Sequence, residues 1–269
     1  MRRVLVSTAL MALTCSFAFA QMTPTPRCDS GGNSDWHALS SYKIGTVFDT
    51  QLEHDYRIPH LHATSILPAE GEPPQPPSGE DSDGEAQRSY HQALSKWSCM
   101  YGPEQVVDGN PATAWSEGAP GNGEGELLVV HLGAVEKVDI WTGFGRSERL
   151  HTRNGRPRKV RLYVLQALSG MANQFDLTVG HMVILTRATA ELADVNTYQP
   201  LPFPQFDVIT DRRRRETLLA PFFEGEVPQW TINPMAPDES IYLAIEILSV
   251  YPGSVYEDTL ISEVRTRRE

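Results

Sequence analysis

The chain has 269 residues, 40% hydrophobic and 21% charged, with 20 Gly, 20 Pro and a formal net charge of -11. That balance excludes a collagen, a long coiled coil and a wholly disordered chain, and it leaves room for one substantial domain plus extensions. The acidic excess argues against a general nucleic-acid binder, which needs clustered Lys and Arg for its phosphate contacts.

Residues 1–20 read as a secretory signal peptide. Arg2 and Arg3 make a basic start, Val4 to Ala20 is apolar apart from small polar residues, and Ala18-Phe19-Ala20 precedes Gln21 as a cleavage site. A lipoprotein signal fits less well, because Thr14 precedes Cys15 and apolar residues continue to Ala20. No later run reaches about eighteen apolar residues, so no membrane helix is expected. The expected location is outside the cytoplasm: periplasmic, cell-surface or extracellular. Cleavage would leave a formal charge of 21 minus 34, or -13, and two cysteines. In an oxidising compartment Cys28 and Cys99 are expected to form a disulfide, and neither has His or Cys at metal-ligand spacing.

Three zones follow. Residues 21–68 hold scattered apolar residues without a sustained period and read as a poorly structured N-terminal segment. Its His54, His60 and His62 lack a zinc pattern. Residues 69–88 read as an acidic Pro-rich linker, with six acids between Glu70 and Glu85 and prolines at 73, 74, 76 and 77. Residues 89–269 form the main domain. After a helical pattern at Ser89 to Lys96, short runs rich in Val, Ile, Tyr and Trp predict strands at Leu127–Leu132, Lys137–Trp141, Val160–Leu165, Met182–Leu185, Phe206–Ile209, Trp230–Ile232, Ile241–Leu248 and Ile261–Val264. Eight strands with turn-rich flanks point to an all-β antiparallel sandwich.

Four blocks in order, YGPEQVVDGNPATAWSEG from Tyr101, GNGEGELLVVHLG, NGRPRKVRLYV and EILSVYPGSVYEDTLISEV, resemble the discoidin-like (coagulation-factor type C) domains of the galactose-binding superfamily. The resemblance is to the bacterial branch named for the NAD glycohydrolase translocation domain. It implies an eight-stranded jelly-roll β-sandwich whose end loops bind glycans or other surface ligands, without catalytic apparatus. In that branch the domain helps to deliver or position an attached toxin enzyme; the region before the linker is too short and too polar to be one.

The resemblance also implies a calcium ion where the DGNPAT loop meets the last strand. Asp108, Asn110 and Thr113 supply three oxygen side chains, Gly109 allows a tight bend, and Glu263 lies in the matching ISE block. The alternative is an Asx-type turn whose side chains satisfy backbone amides. Trp115 either stacks on a sugar or, as its place in the motif favours, packs in the core, and Trp97 and Trp230 are read the same way. Ligand candidates on predicted turns are Phe144 and Arg146 in GFGRSE, and Tyr251 and Tyr256 around Pro252-Gly253-Ser254; the same residues would equally suit a folded corner. Arg212 to Arg215 suits an anion, or a solvated hairpin tip balanced by Asp211 and Glu216. No H-E-x-x-H, G-x-S-x-G or P-loop motif occurs, so no enzyme is expected. The sequence reading is a secreted noncatalytic glycan- or cell-surface-binding module; the alternative is a periplasmic or outer-surface protein-interaction partner without a carbohydrate ligand.

Overall fold

The computed structural model describes residues 28, 36–52, 61–77, 84–133, 137–172, 177–224, 226–232 and 239–267. The proposed signal peptide, His54 and His60 lie outside them. In chain order the strands are β1 (Val47–Leu52), β2 (Leu61–Ala63), β3 (Trp115–Ser116), β4 (Leu127–His131), β5 (Lys137–Thr142), β6 (Arg156–Ala172), β7 (Leu177–Glu191), β8 (Gln199–Leu201), β9 (Ile241–Tyr251) and β10 (Leu260–Arg267). Helices are α1 (Gly84–Ser98), α2 (Glu148–Arg153) and α3 (Arg212–Leu219). Two antiparallel sheets make the expected sandwich: six strands in the order β1-β7-β6-β9-β4-β2, and four in the order β3-β10-β5-β8.

Continuous apolar runs mark the strands buried on both faces. In β4, Leu128 and Val130 join the core between the sheets with Val160, Leu162, Leu243, Ile245, Val138, Ile140, Ile261 and Trp115. The alternate residues Leu127 and Val129 face the other way, with Tyr163, Leu165 and Tyr242. That outer face is covered by Trp36 and Leu39 of a 3-10 helix (Trp36–Ser41), with Phe48 and Leu52 of β1. The N-terminal segment read as poorly structured therefore enters the sandwich in its described parts. Its apolar residues are few and aperiodic, and they bury only because a preformed sheet face receives them.

Cys28 and Cys99 are bonded as expected, with Cα atoms 4.9 Å apart and a sequence separation of 71. Closing such a loop is worth up to about 4 kcal/mol by chain entropy. α1 begins four residues before the predicted end of the linker, and Trp97 near its end donates its indole N–H to the carbonyl of Glu70 at 3.0 Å. Trp97 is thus half-buried against the linker rather than in the core.

Two predicted strands are not strands. Phe206–Ile209 is irregular chain, held because the buried Gln166 side chain donates to Ile209 O at 3.2 Å and accepts from Ile209 N at 2.9 Å, replacing a strand partner with an amide. The predicted Trp230–Ile232 strand is replaced by a 3-10 turn over Gln229–Thr231 and a single bridge from Ile232 to Ser169; the Trp230 side chain lies outside the described residues. Nor is Arg212 to Arg215 a hairpin tip. It opens α3, where Asp211 Oδ1 caps the helix by accepting from Arg214 N at 2.7 Å and Arg212 pairs with Glu216 at 2.9 Å. Leu219 of α3 packs with Ile209 on Leu168 and Val183, covering the part of the larger sheet that the smaller one does not reach.

Candidate functional site

The DGNPAT loop folds as a nested pair of Asx turns. Asp108 Oδ1 accepts from Asn110 N at 2.8 Å, Asp108 Oδ2 accepts from the Thr113 hydroxyl at 2.8 Å, and Asn110 Oδ1 accepts from Ala112 N at 3.2 Å. Gly109 supplies the bend at φ +75°. Trp115 is fully buried between the sheets and donates to Ser65 O at 3.0 Å, which places it in the core and not on a ligand.

β10 then delivers Glu263 to this loop. Glu263 is 2% exposed, and its Oε1 has no hydrogen-bond partner. Its pKa is pushed up to about 8, first by burial and then by the Asp108 carboxyl beside it, against the pull of the Asn110 and Gly109 amides. Asp108, Asn110, Thr113 and Glu263 are thus brought together, with two carboxyls face to face in a site only a proton or a cation can neutralise. Among the described residues no set of three or more His, Cys, Asp or Glu gathers in metal-binding geometry. With two carboxylates, a hydroxyl and an amide oxygen, the donor set is all oxygen and suits a hard cation rather than zinc.

The GFGRSE turn is strapped to β10 and lies against the same loop. Ser262 Oγ donates to Gly143 O at 2.8 Å and accepts from Gly145 N at 2.8 Å. A Cβ at Gly145 would come within 2.7 Å of Pro111 O and 2.8 Å of Trp141 Nε1, so only glycine lets the two loops approach. Phe144 on this turn is half-buried and Arg146 is exposed.

Next to it, three loops meet where β5 ends and β10 begins. Ser254, Val255 and Tyr256 donate their amides to the carbonyls of Thr152 and Arg153 at the end of α2. Arg156, almost wholly buried, binds Asp194 through Nε (3.0 Å) and Nη2 (2.6 Å), and reaches the carbonyls of Asn154 and Pro252 with Nη1. The guanidinium holds the Asp194 carboxyl below its ordinary pKa. Tyr251 is a strut of this assembly: its hydroxyl donates to Leu192 O at 3.0 Å, and Arg156 and Arg158 lie 5.9 and 5.8 Å from its ring centre.

Tyr256 is different. It is 44% exposed, Arg153 stands 5.3 Å from its ring centre and donates to its hydroxyl at 3.1 Å. It lines a cleft of about 500 Å³ with Gly121, Asn122 and residues 252–257. Of the four ligand candidates only Tyr256 faces this cleft. A second cleft of about 500 Å³ runs past Glu263, Tyr198 and Arg265, whose guanidinium lies 3.5 Å from the Tyr198 ring centre.

Sequence reasoning missed the pin that holds the first cleft together. Glu117 is completely buried, with Oε2 accepting from Ala119 N at 2.9 Å and Oε1 from Thr259 N at 3.0 Å. Thr259 in turn donates its hydroxyl to Asn122 O, so one carboxyl joins the 118–125 loop to the 252–259 loop. Burial, then Asp258 and Glu126, push its pKa up to about 7 against the two amides. The only trace in the sequence is Gly123, where φ is +75° and a Cβ would fall 2.5 Å from Glu117 Cγ.

Residues 81–267 match the family described as the NAD glycohydrolase translocation F5/8 type C domain. No curated protein matches the chain. Among solved structures, a truncated AlyQ with CBM32 and alginate lyase domains is 13% identical, covering 81% of this chain and 35% of that one, at a TM-score of 0.30. Two structures of a Ruminococcus gnavus GH29 fucosidase with fucose are 9% identical and cover 80% of this chain and 27% of theirs, at TM-scores of 0.28 and 0.27. The chain spans about a third or less of the length of these proteins. On the family match, which covers well over half of its residues, the chain belongs to the NAD glycohydrolase translocation F5/8 type C domain family.

Proposed function

We propose that the protein is a secreted, noncatalytic module that binds a glycan or another cell-surface ligand at the loop end of its sandwich. The observation that carries this reading is the cleft of about 500 Å³ between the 118–125 and 252–259 loops, with an exposed tyrosine on its wall. A ring face braced by Arg153 offers an apolar surface to sugar C–H groups without needing to reorganise. Phe144 and Arg146 on the turn before α2 belong to the same proposal as further contacts, and Tyr251 braces the assembly through Leu192 O. Membership of a translocation-domain family agrees with a binding role rather than a catalytic one.

A structural calcium ion belongs to the same reading, held by Asp108, Asn110, Thr113 and Glu263. What supports it is the buried, unpartnered Glu263 Oε1 next to a second carboxyl, in a loop rich in oxygen donors. When bound, the ion neutralises both carboxylates. The residues themselves then tie the DGNPAT loop to β10, and through Pro111 they back the GFGRSE turn.

A glycan array followed by titration tests the binding role. Binding of a sugar that Tyr256→Ala weakens about tenfold, the loss expected when one stacked ring goes, supports it. No ligand at millimolar concentration across neutral, acidic and sulfated sugars refutes it. Capture of one envelope protein, unaffected by Tyr256→Ala, would instead establish the protein-interaction alternative.

A further inference from the structure

We infer that the loop-end site takes an anionic polysaccharide, one carrying uronate carboxylates or sulfate esters, held by the arginines of α2 and the start of β6; this deepens the binding function proposed above and rests on it.

The chain is acidic, yet its cations are not evenly spread. Between Arg146 and Arg161 seven basic residues stand against one acid, Glu148. Two of the seven are neutralised within the fold, Arg156 by Asp194 and Arg161 by Glu246. Glu148 is engaged by the Asn196 amide at 3.0 Å. Arg149 and Arg153 lie one turn apart on α2 and therefore share a face, and Arg146 stands immediately before the helix. Arg149 and Arg158 are exposed, and none of Arg146, Arg149, Arg153 and Arg158 forms an ion pair within the described residues.

Two of these guanidinium groups stand by tyrosine rings instead. Arg153 lies over Tyr256 and Arg158 over Tyr251, with Arg153 Nε left without a hydrogen-bond partner. A guanidinium held beside a tyrosine ring is a cation with an ordered stem; Arg153 gives one N–H to the Tyr256 hydroxyl and keeps the rest of its fork, while Arg158 is exposed. A carboxylate or sulfate accepts two parallel N–H bonds from such a fork. Glu257 also lines the cleft, so a chain resting a sugar ring on Tyr256 would turn its anionic groups away from Glu257 and toward Arg153 and the exposed side of α2.

The other arginine cluster behaves differently and supplies the control. On α3, Arg212 is paired with Glu216, and no tyrosine ring is stacked on the run.

The test is affinity electrophoresis of the full chain in gels containing polygalacturonate, heparin, or neutral galactan and dextran. The expected result is retardation by polygalacturonate or heparin, with the two arms identifying carboxylate or sulfate. Raising salt from about 0.05 M to 0.5 M should release the protein, because exposed charge contacts are screened. The exposed double variant Arg149→Ala/Arg158→Ala, with an unchanged melting curve, should weaken binding about fivefold or more, the scale of two exposed charge contacts. Arg213→Ala/Arg214→Ala on α3 should leave it unchanged. Retardation by neutral polymers alone overturns this inference and leaves the glycan-binding role standing, whereas no retardation by any polymer counts against both. Equal loss in the α3 variant overturns the assignment to α2. Binding to phosphatidylglycerol vesicles without binding to either acidic polymer overturns it in favour of a membrane surface.

Discussion

Two buried glutamates of the smaller sheet, one just past β3 and one in the neighbouring β10, meet opposite fates. Glu117, following β3, and Glu263, inside β10, are both nearly inaccessible and both have their pKa pushed up, to about 7 and about 8. Glu117 has each oxygen matched to a backbone amide, so its carboxyl acts as a staple between two loops. Glu263 has an oxygen without a partner and a second carboxyl beside it. Burial alone therefore does not distinguish a structural acid from a candidate site; the number of donors left to pair with it does.

The largest effect that separates the two is on stability. Glu117→Ala leaves the amides of Ala119 and Thr259 without acceptors and should cost about 3 kcal/mol in urea denaturation. Glu263→Gln in chelator should be neutral or stabilising, since it removes one of two facing carboxyls. A Glu117→Ala protein as stable as the parent would show that the staple is dispensable and break the contrast.

Calcium sharpens it next. At one hundred times the dissociation constant an ion that binds only the folded state adds about 2.7 kcal/mol, visible as a raised melting temperature. Asp108→Ala and Glu263→Gln should each remove that increment, and Glu117→Gln should keep it. Magnesium should substitute poorly because it sheds its waters reluctantly. An identical melting curve in excess calcium and in chelator would reduce the DGNPAT loop to a turn.

The smallest effect is the part of the pH dependence that Glu263 alone contributes, between pH 7 and 8 without metal. Both acids have folded pKa values above the unfolded value of about 4.5, so the folded state binds more protons between these limits. Their contribution to stability is complete below pH 4.5 and is lost as pH rises, through about 7 for Glu117 and about 8 for Glu263. Each contributes a slope of up to about 1.4 kcal/mol per pH unit within its window. Comparing denaturation at pH 5, 7 and 8, Glu263→Gln should abolish the dependence between 7 and 8 and lower the slope below 7, where Glu117 alone still takes up a proton on folding. A dependence of the same size in both Gln variants and the parent would mean that neither carboxyl takes up a proton on folding.

The sequence was most legible where one residue type suffices. β4, β5, β9 and β10 announce themselves as apolar runs, and each appears within a few residues of its predicted bounds. The β6–β7 hairpin is longer than its apolar centre suggests, because Arg156, Lys159, Arg161 and Arg187 continue the ladder with polar side chains. Phe206–Ile209 misled because its β-forming residues pair with the side chain of Gln166 and not with a strand. In the candidate site, Asp108, Asn110, Thr113 and Glu263 were readable through a resemblance covering four ordered blocks. Phe144, Arg146 and Tyr251 were readable only as turn residues, and the structure sets Tyr256 apart from them by placing it on the cleft wall.

By itself, the sequence determined what local chemistry dictates: a mostly β chain, a tight Asx loop at DGNPAT, an acidic balance broken by a basic stretch, and two cysteines able to pair. Tertiary structure alone decided the rest. Whether an N-terminal strand joins a sheet depends on an apolar face built 80 to 200 residues away. The state of Glu117 or Glu263 depends on which amides and carboxyls distant loops bring within hydrogen-bond reach. Those energies depend on distance and desolvation in space, and neither is written into the spacing of residues along the chain.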